Sequence, residues 1–242
     1  MISVVIILYN SEKYLDKCLL SLTKFFYTDS NIIFETIFVV NDKKSYTKTI
    51  HKHFEHSKIL VSDYNLGFAK GLNYAASVSK GTHILTLNPD IIVKSPILKV
   101  MYDFLENNPD VGIVGGKILN YDNSFQISSR RQFPTLNLLI SRMLFRFCLF
   151  SVNKYNYSDV SNKITHSVDS VSGSCMMFSK KLFNKLNGFD ERFFLYFEDT
   201  DFCYRTIQYK YKVIYFPEVL IMHAKGGSTT FKNFFYIRLC FY

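Results

Sequence analysis

The sequence predicts an α/β fold with a mostly parallel central sheet flanked by helices. Three features point there. Strand-like runs alternate with helix-period segments through the first half of the chain. The first of those runs, Ile2 to Leu8, reads as a continuous β-branched stretch, as in parallel strands covered on both faces. Asn and Asp recur just after successive strands, at the edge where open α/β sheets bind ligands.

The elements follow in order. Ile2 to Leu8 is a buried strand, and Asn10 or Ser11 can cap the helix after it. That helix turns Leu15, Cys18, Leu19, Leu22, Phe25 and Phe26 to one side. Residues 32–40 and 59–61 read as the next strands. A helix over 68–80 is expected to stop at Gly81, and 83–87 is a fourth strand. Pro96 opens a helix that ends near Asn107, and 111–119 is a fifth strand. Tyr9 and Asn10, Asn41 and Asp42, Asp63, and Asn88-Pro89-Asp90 follow successive strands.

The second half is less regular. Residues 136–150 are largely apolar but carry Arg142 and Arg146, with Arg130 and Arg131 upstream. Residues 168–179 form a strand-like stretch interrupted by Gly173, with Met176, Met177 and Phe178 read as core. FDERFFLYFEDTD, 189–201, concentrates acids and aromatics and leads into a helix reaching about Lys210. Residues 212–216 and 219–222 read as two strands, with His223 at the end.

A chain of 242 residues buries a substantial core without staples. With 48% hydrophobic and 20% charged residues it is not a disordered chain. Lys and Arg outnumber Asp and Glu by 29 to 20, a net +9 that favours an anionic partner. No nucleic-acid motif accompanies that charge, so no nucleic-acid partner is expected. Five scattered Cys show no CxxC or zinc spacing and read as reduced thiols of a cytoplasmic protein. The N-terminus has no basic region or cleavage site of a signal peptide, and no run is apolar enough to span a bilayer.

Four clusters carry candidate chemistry. Asn88-Pro89-Asp90 places a carboxylate where it can hold a hard cation on a diphosphate, although alone it is an ordinary turn. Glu198-Asp199-Thr200-Asp201 gathers three acids beside aromatics, where burial raises a carboxyl toward a general base's range; the bland reading is an acidic first helical turn. His223 precedes Gly226-Gly227-Ser228 and pairs with Asp90 as a mixed metal site, though a single His is more often structural. Residues 65–73, NLGFAKGLN, run from loop into helix and suit phosphate approach, without matching a Walker loop or GxGxxG.

Together VVIILYN (4–10), VVND (39–42), NLGFAKGLN (65–73), LNPD (87–90), VGIVGGK (111–117), SGSCMMF (172–178), GFDERFFLYFEDTDFCYR (188–205) and VIYFPEVLIMH (213–223) resemble family 2 glycosyltransferases of the GT-A fold, in particular the rhamnosyltransferase-like branch that builds bacterial surface polysaccharides. The resemblance implies a single domain over 1–242, with a nucleotide-sugar half at 1–120 and an acceptor-binding, catalytic half at 121–242. It implies donor contacts from Tyr9, Asn41, Asp42, Asn65, Gly67, Asn73, Asn88 and Gly173. It implies Mg2+ or Mn2+ on Asp90 and His223, Asp199 as catalytic base and Glu198 positioning the acceptor.

The implied reaction is an inverting transfer from a dTDP- or UDP-sugar to a hydroxyl of a lipid-linked glycan such as O-antigen or capsule. The site of action is then the cytoplasm or the inner face of the plasma membrane. The basic segment 130–150 and the terminal FFYIRLCFY are candidate contacts with anionic lipid, the alternative for 136–150 being a core helix with snorkelling arginines. Asn88-Pro89-Asp90 supplies one carboxylate where a full DxD motif supplies two, and two further departures stand out. Tyr46-Thr47-Lys48 follows Ser45 where relatives often carry an acid, and the chain ends soon after His223 where many continue. These motivate a catalytically silent binding subunit as an alternative. A sugar nucleotidyltransferase ranks lower, because Tyr9-Asn10-Ser11-Glu12 stands where its Gly-rich basic loop belongs.

Overall fold

A computed structural model describes residues 1–27, 32–134 and 155–223. The chain order is β1 (Ile2–Leu8), α1 (Glu12–Phe26), β2 (Phe34–Val40), α2 (Thr47–His53), β3 (Lys58–Val61), α3 (Gly67–Val78), β4 (His83–Leu87), β5 (Ile91–Val93), α4 (Leu98–Asn107) and β6 (Val111–Leu119). There follow β7 (Arg130–Arg131), β8 (His166–Ser167), β9 (Ser170–Val171), β10 (Cys175–Ser179), α5 (Lys180–Lys185), α6 (Glu198–Gln208) and β11 (Lys212–His223).

Among the described residues nine strands form one sheet in the order β3-β2-β1-β4-β10-β6-β11-β5, with β8 on β11. Six of them, β3, β2, β1, β4, β6 and β11, run one way. β10 is inserted antiparallel between β4 and β6, and β5 and β8 oppose β11. The sheet is therefore mostly parallel, and the six aligned strands end at one edge.

Alternate side chains of the strands build two cores. Ile2, Val4, Ile6 and Leu8 meet Leu15, Leu19 and Leu22 of α1, Ile50 of α2, and Leu98 and Met101 of α4. Val5 and Ile7 on the other face join Leu72 of α3, Phe183 of α5 and Phe202 of α6. Each such aliphatic or aromatic side chain contributes about 1.5–3 kcal/mol when fully buried. The sheet is thus a rigid middle layer, and the loops at its carboxyl edge are free to carry chemistry.

Several expectations change in detail. Ser11 holds the cap position of α1, but its hydroxyl bonds the Tyr9 backbone instead of the helix. α3 ends at Val78 because Ser79 is already extended, two residues before Gly81. Gly81 serves packing instead: a Cβ there would lie 2.5 Å from the Ser3 nitrogen. The two strands expected over 212–222 are one strand, whose register against β6 slips between Phe216 and Leu220. Pro217 lies in that slip, where a residue without an N–H interrupts the ladder at least cost. Residues 168–179 divide into β9 and β10, and 172–174 between them face the carboxyl edge.

Candidate active site

β4 and β11 deliver the first cluster. Asp90, 3% exposed, follows β4, and His223 is the last residue of β11. Asp90 Oδ1 lies 3.1 Å from His223 Nε2, and Asn88 Nδ2 lies 3.3 Å from the same nitrogen. Gln126 Oε1 sits 3.2 Å from His223 Nδ1. An amide oxygen only accepts, so Nδ1 donates to it, and Nε2 is the ring nitrogen that lies beside Asp90 and Asn88. Asp90 Oδ1 is buried and accepts no hydrogen bond. A buried carboxylate oxygen without a hydrogen bond, 3.1 Å from an imidazole nitrogen, is costly alone and suits a divalent cation. Among the described residues no third His, Cys, Asp or Glu joins them, so a diphosphate and water would complete the shell.

The second cluster opens α6. Tyr196 and Phe197 have φ of +69° and +68°, so two aromatic residues in succession occupy the left-handed region. Such residues cost about 1–3 kcal/mol each and persist only where the surroundings hold them. They bring Glu198 and Asp199 to the first turn, facing inward, 5% and 8% exposed. Asp199 Oδ2 accepts from Arg131 Nη2 at 2.7 Å and from the Gly173 nitrogen at 3.1 Å. Its Oδ1 accepts from the Thr200 nitrogen at 2.7 Å and, less closely, from the Thr200 hydroxyl at 3.2 Å. Burial works against the Arg131 charge, but the adjoining Asp199 carboxylate more than offsets it and holds the guanidinium above its usual value. Glu198 Oε2 has no partner, and burial first, then the Asp199 charge, raises its carboxyl well above the ordinary range.

Residues 172–174 link the two clusters. The Thr86 hydroxyl donates to the Gly173 carbonyl at 2.8 Å, and the Asn88 nitrogen donates to the Ser174 carbonyl at 3.2 Å. Asp199, on the Gly173 nitrogen, is thereby tied to the end of β4 that bears Asp90.

The remaining sequence-derived residues except Asn73 fall at the same edge. Asp42 accepts from the Asn10 nitrogen and the Tyr46 hydroxyl at 2.7 Å each, and from the Lys44 nitrogen at 3.0 Å, so it shapes the loops after β1 and β2. Tyr9 begins the first of these loops. Asn41 is 2% exposed; its Nδ2 donates to the Gly67 carbonyl at 3.0 Å, and its Oδ1 is left without a donor. Asn65 Oδ1 accepts from the Gly67 nitrogen, folding the turn into α3. Asn73 is directed elsewhere, toward the backbone of Phe189 and the Glu191 carboxylate.

Arg130 and Arg131 do not face lipid. Arg130 is 1% exposed, donates to the carbonyls of Tyr157, Val160 and Ser161, and lies over the Phe125 and Tyr215 rings. Arg131 is bound to Asp199. An arginine read only as surface charge misses this, because its partners come from segments distant in sequence. Residues 136–150, with Arg142 and Arg146, Gly226-Gly227-Ser228 and the terminal FFYIRLCFY lie outside the described residues. Cys18, Cys175 and Cys203 are free and buried, and burial raises each thiol. Sequence reasoning also missed Gln126, which turns His223; an isolated Gln after a strand carries no signal of that role.

The family model described as glycosyl transferase family 2 matches residues 3–186. The chain belongs to that family. A second model, described as the N-terminal domain of galactosyltransferase, matches residues 157–231. Among curated relatives of this family 2 glycosyltransferase, the rhamnosyltransferase WbbL of Escherichia coli K12 is 27% identical over 92% of this chain and 83% of its own length. The N-acetylglucosaminyl-diphospho-decaprenol L-rhamnosyltransferase of Mycobacterium tuberculosis is 23% identical over 74% of this chain and 62% of its own. The crystal structure of GalNAc-T7 with UDP, GalNAc and Mn2+ aligns with a TM-score of 0.69 and 13% identity, covering 93% of this chain and 44% of that one. The fold is that of GT-A glycosyltransferases, and the chain spans less than two thirds of the length of two of these three proteins.

Proposed function

We propose that the chain is an inverting glycosyltransferase that moves a sugar, rhamnose in the first instance, from a dTDP- or UDP-sugar to a hydroxyl of a lipid-linked glycan. One observation carries the reading: the Asp90–His223 pair and Asp199 are tied together through residues 172–174. Asp199 accepts the acceptor proton through Oδ1, where the 3.2 Å Thr200 hydroxyl contact is the one an incoming hydroxyl displaces most readily. Arg131 and the Gly173 nitrogen fix the carboxylate's orientation through Oδ2. Glu198, held neutral by burial, donates a hydrogen bond to the acceptor and orients it. Asp90 and His223 would hold Mg2+ or Mn2+, which would supply positive charge against the leaving diphosphate when bound. Asn41 Oδ1, buried and unpartnered, accepts the imide N–H of uracil or thymine. The names of the rhamnosyltransferase relatives support the sugar and the polyprenyl-diphosphate acceptor.

Calorimetry with UDP, dTDP and their sugars tests this reading. Binding of at least one is expected to require Mn2+ or Mg2+ and to weaken at least about ten-fold in Asp90→Asn and His223→Ala. Cation-independent binding, equal in both variants, contradicts it. A silent binding subunit is the second reading, favoured by hydrogen bonds already on both Asp199 oxygens. It predicts donor binding with no transfer to any acceptor.

A further inference from the structure

We infer that Asn73 is a positioning residue for the turn that carries Glu198 and Asp199, not a ligand of the donor. The amide engages Phe189 as a neighbouring strand would: Oδ1 accepts from the Phe189 nitrogen at 2.9 Å, and Nδ2 donates to the Phe189 carbonyl at 2.9 Å. Nδ2 also reaches Glu191 Oε1 at 3.0 Å. Both ends of the side chain are thereby engaged. The approach requires Gly188, which has φ of +72° and whose Cβ would stand 2.7 Å from Asn73 Oδ1.

A second attachment from the same helix holds the far side of the turn. The Phe68 nitrogen donates to the Phe194 carbonyl at 2.9 Å, and Gly67, at φ +76°, lies so close that a Cβ would fall 2.3 Å from that oxygen. Between Phe194 and the acids stand Tyr196 and Phe197 in the left-handed region, a conformation that needs support from outside the segment. α3 supplies it at both Phe189 and Phe194. The same helix start presents the Gly67 carbonyl to Asn41. One rigid helix thus registers the donor edge of the sheet against the acidic turn, which matters because a misplacement of about 1 Å costs up to about a hundred-fold in rate.

This inference rests on the reading of Asp199 as base, and its test includes an arm independent of activity. Asn73→Ala and Gly188→Ala are compared with wild type and with Ser77→Ala, an exposed α3 position whose hydroxyl bonds only Tyr74 within the helix. Donor affinity is measured with UDP and dTDP plus Mn2+, turnover at saturating donor, and amide hydrogen exchange over 188–199 and β1. Expected in both clamp variants are an exchange increase confined to 188–199, nucleotide affinity within two-fold of wild type, and turnover lower by at least about ten-fold. Ser77→Ala matches wild type throughout. Weakened nucleotide affinity with full turnover at saturation makes Asn73 a donor ligand and overturns the inference, as does unchanged exchange over 188–199. Should Asn73→Ala not fold, Asn73→Asp, which keeps only the acceptor for the Phe189 nitrogen, gives the same readouts. If wild type transfers no sugar, the exchange arm still decides the clamp, so the two readings fail separately.

Discussion

Arg131 Nη2 and Asp199 Oδ2 form a 2.7 Å ion pair between side chains that are 22% and 11% exposed, joining β7 to the first turn of α6. Arg130 makes this possible from the preceding position. Its guanidinium is fixed by three backbone carbonyls and two aromatic rings, so β7 cannot slide. Arg131→Ala leaves a partly buried carboxylate without its cation. A fully buried pair broken this way loses about 3–5 kcal/mol, and partial exposure reduces the expected loss to about 1–3 kcal/mol. Urea denaturation measures it. Arg131→Lys restores charge but not the planar fork, so it is expected to recover part of the stability and less of the turnover.

Glu198 gives the protein a distinct pH signature. Burial, reinforced by the Asp199 charge, raises its carboxyl above the usual value of 4.5. With the folded pKa above the unfolded one, the unfolded chain loses this proton first. Stability linked to Glu198 is therefore complete below about pH 4 and declines as pH rises toward the folded value. Glu198→Gln keeps shape and neutrality and removes that decline. Melting temperatures of the two proteins are expected to coincide near pH 4 and to separate progressively up to pH 8, with the Gln variant the more stable. A constant difference across that range contradicts the assignment.

Gly115 is a packing position. It sits in β6 between β10 and β11, and a Cβ there would lie 2.4 Å from Val171 Cβ in β9. Gly115→Ala is expected to cost about 1–3 kcal/mol by overpacking. Adding Val171→Gly removes that Cβ and vacates the contested space, so the double variant is expected to be more stable than the sum of the two changes. Strict additivity in denaturant titrations places the cost elsewhere.

The sequence announced the sheet more fully than the helices around it. β1, β4 and β6 carry mostly aliphatic runs whose ends are sharp, and the structure places them at the same residues. α2 has Ile50 as its buried residue, too little for a helical period, and β5 is a three-residue strand that pairs only with the end of β11. The polar residues at the strand ends were legible because sheet topology alone sends them to one edge. What joins them was not. Arg131 with Asp199, Gln126 with His223 and Asn73 with Phe189 are contacts between segments far apart in the chain, and no local pattern encodes which distant partner a side chain meets. Asn73 is the instructive case, since its motif suggests a donor contact and its hydrogen bonds lead to the acidic turn.

The most direct test of the account compares Asp199→Asn with wild type at saturating donor and Mn2+. The Asn side chain keeps acceptor capacity toward the Gly173 nitrogen and removes the base. Turnover is expected to fall by about 10²–10⁴-fold while nucleotide-sugar affinity stays within two-fold of wild type. Turnover close to wild type contradicts the account, because proton removal from the acceptor would then not depend on the carboxylate tied through Gly173 to the Asp90–His223 pair.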